Sequence, residues 1–372
     1  MNFSRLSFGR LAAQLLWPLL ISCAFISSSQ AQNKDVPSVG VFYYPGWHDN
    51  AKGLTYALPW EKIKSFPEKK PLLGWYDDAD PEVLSKQLRW MSSYGIDYVV
   101  FDWYWDGRST FGEQALQAYF KTPERTSLPF AIMWANHDAQ PVDDSSYRKM
   151  VQYWIDNYLK RPEYIRLNGY PVVFIYSSGS LETRAAKFGS NGAALLKEAN
   201  AIAVEAGLPG IHFSLGGAAS TTLSTVGRRW GGGSYFAYNY HAGALGFTGE
   251  ERRVSRSFSE LAAGYKSQWD WFFANSDLPL WVPVTAGWNK KPWGGSPDPL
   301  HDNSESKPAE FSVHLNDAYS TMSKNHGKSF NSILVCCWNE YGEGSVIEPT
   351  EAYGFAYLEA IKKLSPGKQH LK

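Results

Sequence analysis

Short apolar runs recur along the chain, each followed by a polar loop and then usually a segment with helical spacing. The runs are 39–44, 98–103, 130–135, 171–176, 211–215, 234–238, 280–285 and 333–338. They are nearly continuous rather than alternating, which is how strands read when both faces are covered, as in a parallel sheet flanked by helices. The helices carry signatures of their own. Asp80-Pro81-Glu82 supplies an N-cap, an N1 proline and an acidic first turn, and Leu84, Leu88 and Met91 form a stripe that Gly95 can close. Phe258, Leu261, Tyr265, Trp269 and Phe272 recur at spacings of three and four, as do Phe311, Leu315, Ala318 and Met322 ahead of Gly327. Segments 147–159, 193–206 and 353–364 complete the clearer set, whereas the Gly- and Ser-rich stretch after the fifth run shows no good helix.

Eight strands alternating with helices predict a single (β/α)8 TIM barrel, with a doubly wound open sheet as the alternative. Loop lengths favour the barrel and orient it. Links into strands are short, at 95–97, 207–209 and 276–279, while links out of strands are long, at 45–79, 216–233, 240–257 and 286–308. Long loops therefore gather at the C-terminal face, where barrel enzymes build their sites.

The first residues carry a different pattern. Arg5 and Arg10 precede an apolar stretch over 11–26 and the small-residue end Ser29-Gln30-Ala31, the pattern of an export signal. The organisation read from this is a signal peptide over 1–31, a catalytic barrel over 36–365 and a tail over 366–372, in a periplasmic or extracellular protein. Leu20-Ile21-Ser22-Cys23 offers lipidation at Cys23 as an alternative, against which Ala24-Phe25-Ile26 argues. No later run is long enough for a transmembrane helix. Cleavage at Ala31 leaves Cys336 and Cys337, which are adjacent in an apolar run. Neighbours in a strand point to opposite faces, so the pair reads as two small buried hydrophobes rather than as a disulfide.

Composition removes several function classes. With 36 basic and 36 acidic residues, the chain has no electrostatic reason to bind nucleic acid or an anionic membrane. The pattern H-E-x-x-H, Cys/His ligand spacing, the P-loop and G-x-G-x-x-G do not occur, so neither metal nor cofactor is expected. The acidic segments 77–80 and 298–302 could hold a structural calcium but read more simply as loop and helix-cap residues. His212, His314 and His326 read as structural. The aromatic count changes the picture most: 16 Trp, 22 Tyr and 20 Phe exceed what a core needs and suggest a ligand with flat apolar faces. Oligomeric state is not legible.

The end of the eighth run carries the strongest chemistry. Trp338-Asn339-Glu340-Tyr341-Gly342-Glu343-Gly344 brings two carboxylates out of an apolar strand, and Gly342 and Gly344 allow a sharp turn. Paired carboxylates suit glycoside cleavage, although such pairs ordinarily flank the sugar from different strands. Glu340 and Glu343 share one strand end. They could act together at one sugar edge, or one could pair with Asp102 on the second run. Around them, Tyr43, Tyr44, Trp47 and His48 end the first run, and Trp103 and Trp105 flank Asp102. Trp134, Asn136 and His137 end the third run, with Tyr176, Tyr240, His241 and Trp288 weaker candidates. Together with Trp338, Asn339 and Tyr341 they predict an aromatic-lined cleft for an oligosaccharide or polysaccharide.

These motifs carry a family resemblance. Segment 338–349 resembles the signature of the glycoside hydrolase family 99-like, or WbsX-like, proteins. Tyr43-Tyr44-Pro45-Gly46-Trp47-His48, the segments 73–81 and 95–105, and 284–288 with Lys291-Pro292 are similar to further motifs of that family. The resemblance implies a (β/α)8 barrel and a retaining, endo-acting α-mannosidase chemistry that needs no metal and runs through a 1,2-anhydro sugar. It further implies Glu340 as base on the sugar's 2-hydroxyl and Glu343 as acid/base on the leaving oxygen. The chain departs from family 99 enzymes at Tyr341-Gly342, where they typically carry Trp-His, and this leaves mannose as the sugar in doubt. The expectation is an exported glycoside hydrolase acting on α-linked, mannan-like or related glycans. The alternatives are a polysaccharide-biosynthesis glycosyltransferase, against which the export signal speaks, and a non-catalytic carbohydrate-binding barrel.

Overall fold

The apolar runs become eight strands: β1 Ser38–Tyr43, β2 Tyr98–Trp105, β3 Phe130–Trp134, β4 Tyr170–Ile175, β5 His212–Gly216, β6 Ser234–Phe236, β7 Leu280–Thr285 and β8 Ser329–Cys336. The computed structural model describes residues 36–49, 58–137, 141, 143–217, 221–241, 253–276 and 278–364. The expected leader, Cys23 and the tail lie outside the described residues. Each strand pairs in parallel with the next, and β8 returns to β1 through Val39↔Ile333 and Val41↔Val335. The sheet is therefore closed, and the open-sheet alternative is excluded.

The helices follow the strands: α1 Pro81–Ser93, α2 Gln114–Tyr119, α3 Asp144–Trp154, α4 Ser178–Lys187, α5 Gly192–Glu205, α6 Thr221–Trp230, α7 Phe258–Asn275, α8 Pro308–Lys324 and α9 Ala356–Lys363. The expected cap of α1 forms, with Asp80 Oδ1 accepting from the Glu82 amide at 2.9 Å. Helix α6 corrects the sequence reading, which placed no helix after the fifth strand. Its polar composition hides it, and tertiary packing decides. Trp230 lies against Gly192 at the start of α5, where even a Cβ would come within 2.6 Å of the indole. The Gly227 amide donates to Tyr235 Oη at 2.9 Å.

Closure gives every strand an inner and an outer face. Phe42, Phe174 and Phe236 meet inside the barrel at ring separations of 5.1–6.2 Å, and Trp281 joins Phe174 at 5.3 Å. The alternate residues face the helices: Phe101 packs on Tyr119 of α2, and Trp103 and Trp134 on Trp154 of α3. His314 stacks on Trp269 and His212 bonds Ser234 Oγ at 2.9 Å, both in structural settings.

A second correction concerns the cysteines. Cys336 and Cys337 are joined as a disulfide across a cis peptide bond. The sequence reading placed both residues in one extended strand with their side chains on opposite faces, whereas the strand ends at Cys336 and the peptide that follows it is cis. Both residues are fully buried, as expected.

The inner aromatic layer sets a stability expectation. Phe174→Ala should destabilise the fold by about 3–5 kcal/mol, the usual cost of a large buried cavity. Val313→Ala, at a position 62% exposed on α8, should stay within about 0.5 kcal/mol. Urea denaturation followed by tryptophan fluorescence checks both; equal midpoints would contradict the inward placement of Phe174.

Candidate active site

The inner faces of the strands open at their C-terminal ends into a cleft of about 460 Å³. Alternation selects its lining. On β2, Asp102 and Tyr104 point in while Trp103 and Trp105 point out; after β1, Tyr44 lines the cleft and Tyr43 does not. Met133 and Ala135 come from β3, Tyr176 follows β4, and Tyr238 continues the inward register of Phe236. The loop after β7 adds Trp288, Lys290 and Trp293, and the segment after β8 adds Glu340 and Glu343.

The two glutamates stand on a small hairpin in which Asn339–Glu340 pairs antiparallel with Ser345–Val346. The hairpin is tied to β1. The Trp338 amide donates to the Phe42 carbonyl at 2.7 Å. The Asn339 side chain accepts from the Tyr44 amide at 2.9 Å and donates to the Tyr44 carbonyl at 3.0 Å, so it pairs like one more residue of the ladder. Gly344, at φ 71°, turns the chain where a Cβ would lie 2.8 Å from the Asn289 amide nitrogen. That closeness lets Asn289 donate to the Glu343 carbonyl at 2.6 Å. On the far side, buried Glu348 accepts from Tyr76 Oη, Tyr341 Oη and Gln87 Nε2 at 2.7–2.8 Å. The hairpin is thus anchored to β1, the β7 loop and α1.

Three acids share the cleft. Tyr238 Oη lies 2.8 Å from Asp102 Oδ2 and 3.1 Å from Glu340 Oε1, yet it has one proton and can donate to only one of them at a time. Asp102 Oδ1 and Glu340 Oε2 have no hydrogen-bond partner among the described residues. Burial pushes both carboxyls well above the usual range; nearby Glu343 raises both further, Asp102 also raises Glu340, and Tyr238 opposes the rise. Glu343 is half-open to the cleft but ringed by protein, and that burial pushes it up to about 7 against the pull of the Lys290 ammonium. Burial also pushes His241 down to about 3, keeping it neutral where it packs edge-on against Trp288 at 4.1 Å.

Of the residues read as candidates from sequence, the cleft brings together Glu340, Glu343, Tyr44, Asp102, His137, Tyr176, His241 and Trp288. The others sit around it. Tyr43 donates to Gln87 at 3.0 Å, and Trp47 stacks on Trp60 at 4.0 Å and donates to the Asn339 carbonyl. His48 pairs with Asp77 at 2.9 Å. Trp103 donates to Tyr158, Trp105 to Ser146, and Trp134 is enclosed by Tyr147 and Trp154. Asn136 ties both backbone groups of Ser177, while Trp338, Asn339 and Tyr341 are fully buried supports of the hairpin. Tyr240 lines an adjoining recess of about 410 Å³, which shares Tyr176, Tyr238, Asn239 and His241 with the cleft.

Sequence reasoning missed Tyr104, Met133, Ala135, Tyr238, Asn239, Lys290 and Trp293. Period-two counting from Asp102 finds Tyr104, and counting from Phe236 finds Tyr238. Lys290 and Trp293 lie in an irregular loop that carries no periodic signal. In the acidic segments, Asp78 accepts from the Trp47 amide at 2.9 Å and from Gln114, and Asp302 accepts from the Lys290 and Ser296 amides. Among the described residues no group of three or more His, Cys, Asp or Glu is placed to hold a metal ion, and no helix is long and apolar enough to cross a membrane.

Fold and cleft together define a (β/α)8-barrel protein with a carboxylate site at its C-terminal face. The family model described as Glycosyltransferase WbsX matches residues 64–361, and the chain belongs to that family. The Uncharacterized protein WxcX of Xanthomonas campestris pv. campestris, in strains B100 and ATCC 33913, is 23% identical over 363 residues, covering 87% of this chain and 48% of the relative. The chain therefore spans about half the length of the curated relatives it matches. Among solved structures, the GH99 endo-alpha-mannosidase from Bacteroides thetaiotaomicron superposes with a TM-score of 0.59 at 19% identity, over 88% of this chain and 96% of that one. A glycoside hydrolase-like protein superposes with a TM-score of 0.63 at 15% identity, over 89% and 94%. Both likenesses are likenesses of fold.

The buried acids make stability depend on pH. Burial pushes Asp78, Glu343 and Glu348 each up to about 7 from ordinary values of 3.8, 4.5 and 4.5. An acid that holds its proton more tightly when folded stabilises the fold fully below its unfolded pKa and loses that contribution as pH rises through the folded one. These three acids should therefore lower the melting temperature between about pH 4.5 and about pH 7, while His212, His241 and His314, which burial pushes down to about 4, 3 and 3, act in the opposite direction below about pH 6.5. Glu348→Gln, which cannot titrate, should flatten the slope; an unchanged slope would contradict the shift at this residue.

Proposed function

We propose that the protein is an exported glycoside hydrolase, endo-acting and retaining on α-linked glycans, with Glu340 and Glu343 as its acid–base pair. The observation that carries this reading is the convergence of both glutamates, from one hairpin, with Asp102 and Tyr238 in one aromatic-lined cleft. Two carboxylates on one strand end fit poorly with an enzyme nucleophile on the far side of the sugar. They fit a reaction in which the sugar supplies its own nucleophile.

In the proposed first step, Glu343 protonates the leaving glycosidic oxygen as the bond from C1 breaks. The sugar's 2-hydroxyl oxygen closes on C1, and its proton passes to Glu340, leaving a 1,2-anhydro sugar. In the second step, ionised Glu343 takes a proton from water, the water oxygen opens the epoxide at C1, and Glu340 returns its proton to O2. Two inversions give net retention. Burial supports the first role, because Glu343 keeps its proton up to about pH 7. Burial favours the acid form of Glu340 as well. A sugar hydroxyl donating to the unpartnered Oε2, with Tyr238 donating to Oε1, supplies the bonds that favour its carboxylate. Asp102 then retains its own proton beside it.

The family description favours a second reading, transfer from a glycosyl donor to a sugar acceptor. A non-catalytic carbohydrate-binding barrel would keep the aromatic lining but has no use for both glutamates. Gly342 leaves the sugar open, since family 99 enzymes typically carry a side chain there.

Glu340→Gln and Glu343→Gln should each lower turnover by about 10²–10⁴-fold, the usual contribution of a positioned acid or base, with circular dichroism and melting behaviour retained. The substrate is found by screening α-linked polysaccharides with product sizes measured, and the anomer first released is read by proton NMR. The rate should fall as pH rises through about 7, because Glu343 must enter the reaction protonated. Wild-type activity in both variants would sink the assignment. Transfer from a nucleotide-sugar donor without hydrolysis would establish the second reading.

A further inference from the structure

The loop after β7 presents a cation and an indole to the cleft side by side. Lys290 is the one lysine or arginine among the residues that line it. Its backbone is fixed: the amide donates to Asp302 Oδ1 at 2.9 Å, and the carbonyl accepts from the Trp293 and Gly295 amides at 2.9 Å. Its ammonium forms no ion pair with any described residue. Arg253 in the adjoining recess is committed by contrast, donating to both oxygens of Glu260 at 2.8 and 3.0 Å.

Trp293 sits edge-on to Tyr44 at 5.8 Å and covers the backbone of Gly342, where a Cβ would lie 2.0 Å from the indole. Any side chain at 342 would displace the ring, so Lys290, Trp293 and Gly342 form one unit. We propose that this unit makes the cleft selective for an acidic glycan, with Lys290 pairing to a carboxylate or sulfate on a sugar whose ring stacks on Trp293. The inference rests on the glycan-cleaving reading of the cleft.

The chemistry favours an anion over a neutral sugar. A half-buried ammonium with no ion pair among the described residues has lost part of its hydration, and a neutral sugar returns less of that loss than a charged group does. Burial pushes Asp102 and Glu340 well above the usual carboxylate range and Glu343 up to about 7, which limits the negative charge an anionic ligand meets, and the Glu340→Gln chain used below carries no charge at that position. A lysine whose sole task was to neutralise Glu343 would be expected to form an ion pair with it, and it does not.

The test uses the full chain carrying Glu340→Gln, so that ligands are not consumed, and isothermal titration with oligogalacturonides, their methyl esters, sulfated oligosaccharides and neutral α-glucan and α-mannan oligosaccharides. Acidic ligands should bind about tenfold more tightly than esterified or neutral ones, equivalent to about 1.4 kcal/mol. Adding Lys290→Gln should erase that difference, weakening acidic ligands about tenfold more than neutral ones. Preference for sulfated over carboxylated ligands supports the proposal and identifies the anion as a sulfate ester. Equal binding of acids and esters overturns it and leaves the hydrolase reading standing. So does a Lys290→Gln loss that is the same for neutral and acidic ligands, which would make the lysine a counter-charge for Glu343. Binding of none of these glycans overturns both readings. Should the double variant fail to fold, relative cleavage rates of acid and ester by wild-type and Lys290→Gln chains decide the same question.

Discussion

The β8–β1 ladder is the contact on which the site depends, because it does two things at once. It closes the sheet, which fixes one face of every strand as interior, and it continues past the last strand residue into the hairpin that carries Glu340 and Glu343. The Trp338 amide and the Asn339 side chain extend the pairing to Phe42 and Tyr44. A side-chain amide standing in for a peptide unit lets the chain leave the strand while its position stays set by the barrel wall. Glu340 is therefore held by backbone-grade hydrogen bonds rather than by a free loop.

Support from behind the cleft follows the same logic. Lys69, 3% exposed, pairs with Glu305 Oε1 at 2.7 Å, and Glu305 Oε2 accepts from Asn289 Nδ2 at 2.7 Å. Asn289 in turn caps the Glu343 carbonyl. With Glu348 clamping Tyr341 from the α1 side, the hairpin is gripped by segments far apart in sequence. Buried polar groups of this kind are costly unless fully bonded, and here Glu348 receives three donors. Asp102 Oδ1 and Glu340 Oε2, at the mouth of the barrel, have no hydrogen-bond partner among the described residues, and neither do buried atoms away from the cleft such as Trp154 Nε1 and Ser214 Oγ.

Crowding of acids sets the electrostatic character of the cleft. Three carboxyls in a desolvated pocket cannot all ionise, so at least one of them holds a proton. Tyr238 links two of them with a single donor, and the choice of which it serves is open to a bound hydroxyl. Lys290, fixed by its backbone and without an ion pair among the described residues, reaches this group from the neighbouring loop after β7.

The sequence by itself determined the barrel. Continuous apolar runs, helix caps at Asp80 and long loops after strands are local or periodic signals, and all eight strands lie within a few residues of their expected places. It also determined the E-x-x-E hairpin, because a polar cluster leaving an apolar strand is visible without a fold. Three things were decided only in three dimensions. Strand parity sent Trp103, Trp105 and Trp134 outward to the helices and Tyr104 and Tyr238 inward, since a continuous apolar run carries no mark of which face is the interior. Helix α6 came from packing of Trp230 on Gly192, which a Ser- and Thr-rich segment does not advertise. The placement of Trp293 over Gly342 depends on a contact between distant segments, and a linear pattern records only what recurs along one segment.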